Sequence, residues 1–142
     1  MPEYNAPFFN ALSTVFLTYK EKHGEEKALE FMRDVFARRL GPVYDEWGFS
    51  KGNPKDFERV VQKNDELLGL DVSFEVGENR IAYRFHTDPF PALRGQVEGR
   101  SFDDTYMAFK VRHILGDEWS YSTPKHLWDG DSCTEHIIVN KV

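Results

Sequence analysis

Apolar residues recur every three or four positions through the first part of the chain, a pattern typical of amphipathic helices. The pattern predicts a first helix over residues 6–22 and a second over residues 25–40. Gly41 and Pro42 follow the second run, and because proline has no N–H to donate, we expect them to interrupt the helix. A short helical turn is then expected over residues 43–47.

A third helix is expected to begin at Asn53 and Pro54, since asparagine caps helices well and proline suits the first helical position. The apolar period then changes to strict alternation over residues 70–76 and 80–86, which predicts two strands. With residues 78 and 79 as the loop, this hairpin has an apolar side and a polar side. The apolar pairs are Val72 with Phe85, Phe74 with Tyr83 and Val76 with Ile81, and the polar side pairs Asp71 with His86 and Ser73 with Arg84.

Helical spacing returns over residues 101–115, where Ser101 followed by Asp104 resembles a capping box. A second hairpin is predicted over residues 117–140, with its turn at Asp129 and Gly130, because Asp-Gly between two β-prone runs favours a type I′ turn. This register pairs Trp128 with Asp131, His126 with Cys133 and Pro124 with Glu135, on the face that also carries Ile137 and Val139. We expect this face to point inward, where polar groups are costly unless a site uses them.

These elements predict an α+β fold with three N-terminal helices, a β-hairpin, a helix and a second β-hairpin. The four strands are expected to form one antiparallel sheet with the helices packed on one face. A length of 142 residues fits a single domain over residues 1–142.

Charge and composition narrow the classes of function. The net charge of −6 and the pI of about 5.4 argue against a surface that binds nucleic acid or an anionic membrane. No apolar run approaches the length of a membrane span, and the N-terminus lacks the regions of a signal peptide. A single cysteine cannot form an internal disulfide, so a cytoplasmic location is expected.

The sequence has no P-loop, dinucleotide-binding glycine motif, GxSxG elbow, paired-cysteine site or HExxH helix, so neither cofactor nor metal is expected. Candidate catalytic residues are therefore single side chains. Cys133 is a candidate nucleophile with His126 as its base, or alternatively a small buried hydrophobic residue. Glu135 is a candidate general acid or base if buried, although a solvated carboxylate or a pair with Lys or Arg is the favoured interpretation.

His86 and Asp88 lie two residues apart before a proline-rich break, so on a strand they would point the same way. They could act as two metal ligands or as a base and its orienting group, or His86 could pair with Asp71 on the solvent face. Substrate binding is assigned to aromatic side chains that could line a pocket and to polar ones that could hold a substrate, although each could also be core or surface. These residues are Trp128, Tyr106, Phe90, Arg84 and Asp131.

Several segments together resemble a known family. They are EEKALE from Glu25, DVSFEV from Asp71, the break at Asp88-Pro89 and the terminal Gly-Asp-Ser-Cys that ends at Cys133. With the order of elements, they resemble the L-2-amino-thiazoline-4-carboxylic acid hydrolase-like proteins over about residues 11–139. The layout is more distantly similar to the 4-vinyl reductase domain, a ligand-binding α+β module that also ends in a Gly-x-x-Cys hairpin.

The resemblance implies the fold and a pocket for a small molecule. Family members carry further cysteines after the second strand and near the following helix, which this chain lacks, and Glu135 replaces an aromatic residue. Two functions are therefore expected. One is a hydrolase that opens a heterocycle or cleaves a C–N or C–S bond of an amino-acid-like substrate. The alternative is a non-catalytic domain that binds or senses an aromatic or heterocyclic ligand, with a homodimer as the expected assembly.

Overall fold

The computed structural model describes residues 3–142. It contains four helices and one antiparallel sheet of four strands, in which the strand order is β1-β2-β4-β3. The α+β fold predicted from the sequence is confirmed. The helices are α1 (Ala6–His23), α2 (Glu25–Trp47), α3 (Pro54–Leu67) and α4 (Gly99–Ile114), and the strands are β1 (Val72–Val76), β2 (Arg80–Phe85), β3 (Trp119–Lys125) and β4 (Thr134–Asn140).

Helix starts follow the local signals in the sequence, with one exception. The side chain of Asn53 accepts hydrogen bonds from the backbone N–H groups of Lys55 and Asp56, which confirms the predicted cap of α3. The predicted capping box at Ser101 is wrong, because α4 begins two residues earlier and is capped by the Glu98 side chain. A carboxylate at this position accepts from the free N–H groups of the first turn as a serine would.

The predicted break in α2 is also wrong. The helix runs without interruption through Gly41 and Pro42 to Trp47. Leu40 and Tyr44 lie on either side of the proline and are both buried, whereas Pro42 itself is exposed. The burial of the apolar face therefore outweighs the one backbone hydrogen bond that the proline removes.

The first hairpin has the predicted register, with Val72 opposite Phe85, Phe74 opposite Tyr83 and Val76 opposite Ile81. The second hairpin follows its predicted register only away from the turn, where Trp119 pairs with Asn140 and Ser122 with Ile137. A bulge between Ser122 and Lys125 then shifts the pairing, so that Lys125 rather than Pro124 faces Glu135.

The predicted type I′ turn at Asp129 is wrong. Residues Leu127–Asp129 form a 3-10 turn, and Gly130 alone adopts a left-handed conformation, with φ of 93°. A type I′ turn needs positive φ at both central residues, and among residues 3–142 only glycines have it. The loop between β3 and β4 is consequently longer than predicted, spanning residues 126–133.

The sheet buries one face against the helices. Tyr83 and Phe85 of β2 contact rings from α3 and α4 on this face, together with His136 and Ile138 of β4. The predicted inward orientation of the face with Ile137 and Val139 is therefore wrong, because those residues alternate with the buried ones along β4. Glu135 shares the side of Ile137 and Val139 and therefore lies on the sheet face turned away from the helices.

Candidate functional site

A cavity of about 100 Å³ lies between the first two helices, the end of α3, strand β2 and helix α4. Its lining is mostly apolar and aromatic. Residues that form its walls include Phe9, Leu12, Val35, Phe36, Leu40 and Phe90. Arg39 also lines the cavity and is exposed, with its guanidinium 5.8 Å from the centre of the Phe8 ring, so the cavity reaches the surface at this point.

Two charged side chains face each other in the wall of this cavity. Lys110 of α4 and Asp65 of α3 are 4% and 2% exposed, and the Lys110 Nζ lies 3.6 Å from an Asp65 carboxylate oxygen. The Tyr83 hydroxyl donates to Asp65 and accepts a hydrogen bond of 3.1 Å from Lys110. Burial raises the pKa of Asp65 and lowers that of Lys110, while the attraction between the two opposes both shifts. We call these three residues the Lys110 triad.

A second polar network lies beside the cavity and is built on His126, which is buried. Its Nε2 lies 2.8 Å from a carboxylate oxygen of Asp103, and its Nδ1 accepts a hydrogen bond of 3.1 Å from the backbone N–H of Trp128. In the neutral ring the proton is therefore on Nε2, where it is donated to Asp103. The other Asp103 oxygen accepts a hydrogen bond of 3.0 Å from the Tyr106 hydroxyl, and the Tyr106 ring lines the cavity.

At the pair of His126 and Asp103, burial and charge have opposite effects on the pKa values. Burial lowers the pKa of His126, but the hydrogen bond and negative charge of Asp103 outweigh it, so the pKa is above the ordinary value. Burial raises the pKa of Asp103, against the effect of His126. Packing is tight here, since a Cβ on Gly99 would lie 2.7 Å from the His126 ring. Glycine at the start of α4 is thus required for this contact.

The structure brings five of the predicted site residues together at this end of the cavity. The Trp128 indole Nε1 donates a hydrogen bond of 2.8 Å to Asp88, which also accepts one of 2.9 Å from the backbone N–H of Phe90. Together with His126 and Tyr106, these side chains surround a small void of about 10 Å³. The hydrogen bond between Trp128 and Asp88 thus connects the loop before β4 to the segment after β2.

The proposed partnership of Cys133 with His126 is not seen, because both ring nitrogens of His126 are engaged by other groups. Cys133 is buried in the loop before β4. Glu135 is paired with Arg84, whose Nε lies 2.7 Å from a Glu135 oxygen, and Arg84 also pairs with Glu75 at 3.1 Å. The expected alternative for Glu135, an ion pair, is therefore what the structure contains.

The remaining predicted residues have local structural partners. His86 is exposed and its Nε2 lies 2.8 Å from the Ser73 hydroxyl, whereas Asp88 contacts Trp128, so the two side chains do not converge as predicted. Asp131 accepts a hydrogen bond of 2.9 Å from the backbone N–H of His126. Within residues 3–142, no group of three or more His, Cys, Asp or Glu side chains is placed to hold a metal ion.

Sequence reasoning did not identify three buried charged residues, Asp65, Asp103 and Lys110. A signal for Lys110 existed, since it follows Tyr106 and Met107 at intervals of four and three and precedes Ile114 by four. This spacing puts the lysine on the same helical face as three apolar side chains. A charged residue within an apolar stripe marks a buried pair, although the sequence does not identify its partner.

Helices packed on one face of a four-stranded antiparallel sheet define an α+β class that hosts many functions. No protein-family model matches the sequence, and no curated protein sequence matches it. Among solved structures, the chain is similar to an H-NOX protein from S. oneidensis, crystallised in the Fe(II)NO ligation state. The identity is 12%, the TM-score is 0.52, and the match covers 97% of this chain and 76% of the other. The similarity shows a shared fold.

The residues around the cavity do not fit an iron centre. The side chains that bind haem iron in proteins are those of histidine, cysteine, methionine or tyrosine. Among the described residues that line the cavity, tyrosine is the one member of this set, as Tyr106, and its hydroxyl donates to Asp103. We therefore assign no iron chemistry to this chain.

None of the helices between residues 3 and 142 is both long and apolar enough to span a membrane.

Proposed function

We propose that this protein is a small-molecule-binding domain whose ligand occupies the cavity between the helices and the sheet. The observation that carries the proposal is the pairing of an apolar, surface-connected cavity with a buried ion pair in its wall. Ligand pockets commonly combine mostly apolar walls with a few fixed polar groups. The cytoplasmic setting and the homodimer expected from the sequence remain part of this proposal.

The size of the cavity limits the ligand to a compact molecule. An apolar protein cavity of about 150 Å³ can hold benzene, so a cavity of about 100 Å³ that opens at Arg39 suits one ring or a short branched chain. The aromatic walls at Phe36 and Phe90 favour flat or compact apolar groups. The proposed ligand class is therefore a single-ring aromatic, heterocyclic or alicyclic compound.

The hydrolase interpretation has less support. It requires a base beside Cys133, whereas the hydrogen bonds of His126 go to Asp103 and to the Trp128 backbone. Glu135, the second candidate for proton transfer, is neutralised by Arg84 on the sheet face away from the cavity. We therefore expect no turnover of the thiazoline carboxylate, either by the parent protein or by Cys133→Ala. Thiol release that the variant abolishes would revive the hydrolase interpretation.

A pair of matched variants tests the binding proposal. Val35→Phe places a larger side chain into the cavity, whereas Val15→Phe makes the same change at an exposed position of α1 that does not line it. We screen single-ring compounds by the rise in unfolding temperature, because a ligand that binds only the folded state stabilises it. The parent and Val15→Phe should respond to the same compounds, and Val35→Phe should not.

Two results would contradict the proposal. One is a screen in which no compound stabilises the parent protein at millimolar concentration. The other is a compound that stabilises the parent and Val35→Phe equally, because such a compound binds outside the cavity.

A further inference from the structure

We infer that the Lys110 triad is the polar recognition group of the cavity, and that it selects ligands with one neutral oxygen acceptor, such as a ketone or an amide. This inference rests on the proposed function and narrows its ligand class. It also predicts that the cavity discriminates against carboxylates, although Arg39 lies at the cavity mouth.

Part of the hydrogen-bonding capacity of Lys110 is unused. An ammonium group has three N–H donors. Among residues 3–142, Nζ donates one hydrogen bond, to the Tyr83 hydroxyl at 3.1 Å, and Asp65 at 3.6 Å is beyond good hydrogen-bond distance. Aromatic rings also lie near Nζ, with the centre of the Tyr106 ring at 5.1 Å and that of Phe85 at 5.6 Å.

Lys110 also lines the cavity and is 4% exposed, so its free donors can be satisfied only from inside the protein. A buried donor without an acceptor costs free energy, and a ligand oxygen that supplies the acceptor recovers it. The cavity therefore favours a ligand that places an oxygen next to Nζ and its apolar part against the aromatic walls.

The charges in the cavity wall are already balanced. The charge of Lys110 is already matched by Asp65, and Asp103 also acts on the Lys110 ammonium as a nearby negative charge. A ligand carboxylate at this wall would add a buried negative charge without a matching cation, which is unfavourable in an apolar environment. A neutral oxygen accepts the same hydrogen bond without that cost.

Three probes with the same six-membered ring separate these effects: cyclohexanone, methylenecyclohexane and cyclohexanecarboxylate. Methylenecyclohexane has the shape of cyclohexanone but lacks its oxygen. We titrate each into the parent protein and follow amide chemical shifts by NMR. Cyclohexanone should bind at least about tenfold more tightly than cyclohexanecarboxylate, and its shifts should centre on Lys110 and the cavity walls.

The contribution of the triad is measured with the double variant Asp65→Asn and Lys110→Met, which removes both buried charges and keeps an acceptor for the Tyr83 hydroxyl. The ratio of the cyclohexanone Kd to the methylenecyclohexane Kd should rise by about tenfold or more, as expected for loss of a hydrogen bond from a charged donor. Using a ratio cancels the different hydrophobicity of the two probes.

The outcomes separate this inference from the proposed function. If cyclohexanone and methylenecyclohexane bind the parent, but their ratio does not change in the double variant, the triad is not the recognition group and the binding function stands. Binding of cyclohexanecarboxylate at least as tight as that of cyclohexanone also overturns the inference, and does so in the parent protein even if the variant fails to fold. If none of the three probes binds, the inference fails, whereas the proposed function is decided by the wider screen of single-ring compounds.

Discussion

His136 shows how much one buried histidine can contribute to the pH dependence of folding. Its side chain is fully buried among the rings of Tyr83, Phe85 and Tyr121. Its Nδ1 lies 2.8 Å from the Thr123 hydroxyl, and its Nε2 has no hydrogen-bond partner among residues 3–142. Burial, reinforced by the positive charge of Lys110, lowers the pKa of His136 from 6.5 to about 3.

The sign of the resulting pH effect follows from proton binding. Between about pH 6.5 and pH 3 the unfolded chain protonates this histidine and the folded protein does not, so stability falls as the pH falls. Between about pH 7 and pH 4, His136→Phe should lose about 3 kcal/mol less unfolding free energy than the parent. Urea unfolding at both pH values measures this difference, with His23→Phe at an exposed position as the control.

If the parent and His136→Phe lose the same amount of stability on acidification, other groups dominate the acid response. In that case the buried imidazole does not cause the predicted loss of unfolding free energy at low pH.

The Lys110 triad leads to a second prediction about single residues. Lys110→Met alone leaves the buried Asp65 carboxylate without its cation and should lower the free energy of unfolding by about 3–5 kcal/mol. The double variant with Asp65→Asn should recover most of that loss, because no unpaired buried charge remains. Chemical denaturation of the parent, the single variant and the double variant measures how the two substitutions combine in the free energy of unfolding. Additive losses would mean that the two charges do not stabilise each other.

Gly99 provides a third test at this scale. In Gly99→Ala the new Cβ would overlap the His126 ring, so the ring must move and its hydrogen bond to Asp103 must lengthen. We expect a loss of about 1–3 kcal/mol in the free energy of unfolding and a changed NMR titration of His126. Gly41→Ala is the control, since its Cβ would only approach the end of the Phe109 ring, at 3.3 Å. An unchanged His126 titration would show that the contact does not position the ring.

Among the elements, α2 departs most clearly from its sequence prediction, and the reason is energetic. Proline inside a helix costs about 3 kcal/mol, but this helix has buried side chains on both sides of Pro42. A local signal read from two residues was outweighed by packing that the local sequence does not display. The cap of α3, whose partners lie within three residues of Asn53, was predicted correctly.

Pro42→Ala should therefore stabilise the protein. The substitution restores an N–H in the C-terminal part of α2 at an exposed position and should raise the free energy of unfolding by about 1–3 kcal/mol. Pro54→Ala is the matched control, because proline at the first helical position removes no helical hydrogen bond and its replacement should change little. A loss of stability in Pro42→Ala would mean that the proline shapes α2 for its contacts.

The two hairpins show the same limit of sequence reasoning. The register of the first follows from apolar alternation and the loop at residues 78 and 79, and it could be predicted in full. In the second, the bulge after Ser122 changes which residues face each other near the loop. The expected pairing of His126 with Cys133 depended on the register without a bulge. The bulge shifts the pairing by one position, so these two predicted catalytic residues do not face each other.

For the whole molecule, the sequence predicted the layers, and it predicted single residues such as Phe90 and Tyr106 but not the cavity that they line. Alternation and helical spacing determine which elements form and which faces are apolar. The cavity arises where α1, α2, α3, β2 and α4 meet, so its shape depends on long-range packing rather than on any segment. The pairing of Asp65 with Lys110 joins α3 to α4 across 45 positions of sequence. The spacing of residues along the chain does not predict a contact between such distant positions.

The bulged strand β3 has a consequence for how copies of the protein can associate. It is an outer strand of the sheet, where free backbone groups can recruit a strand from another molecule. Pro124 has no N–H to offer, the bulge beside it interrupts the regular spacing of donors, and Lys125 adds a charge. We therefore expect a continuous sheet across two copies to be disfavoured along this part of β3, and growth into fibrils through this edge to be disfavoured as well.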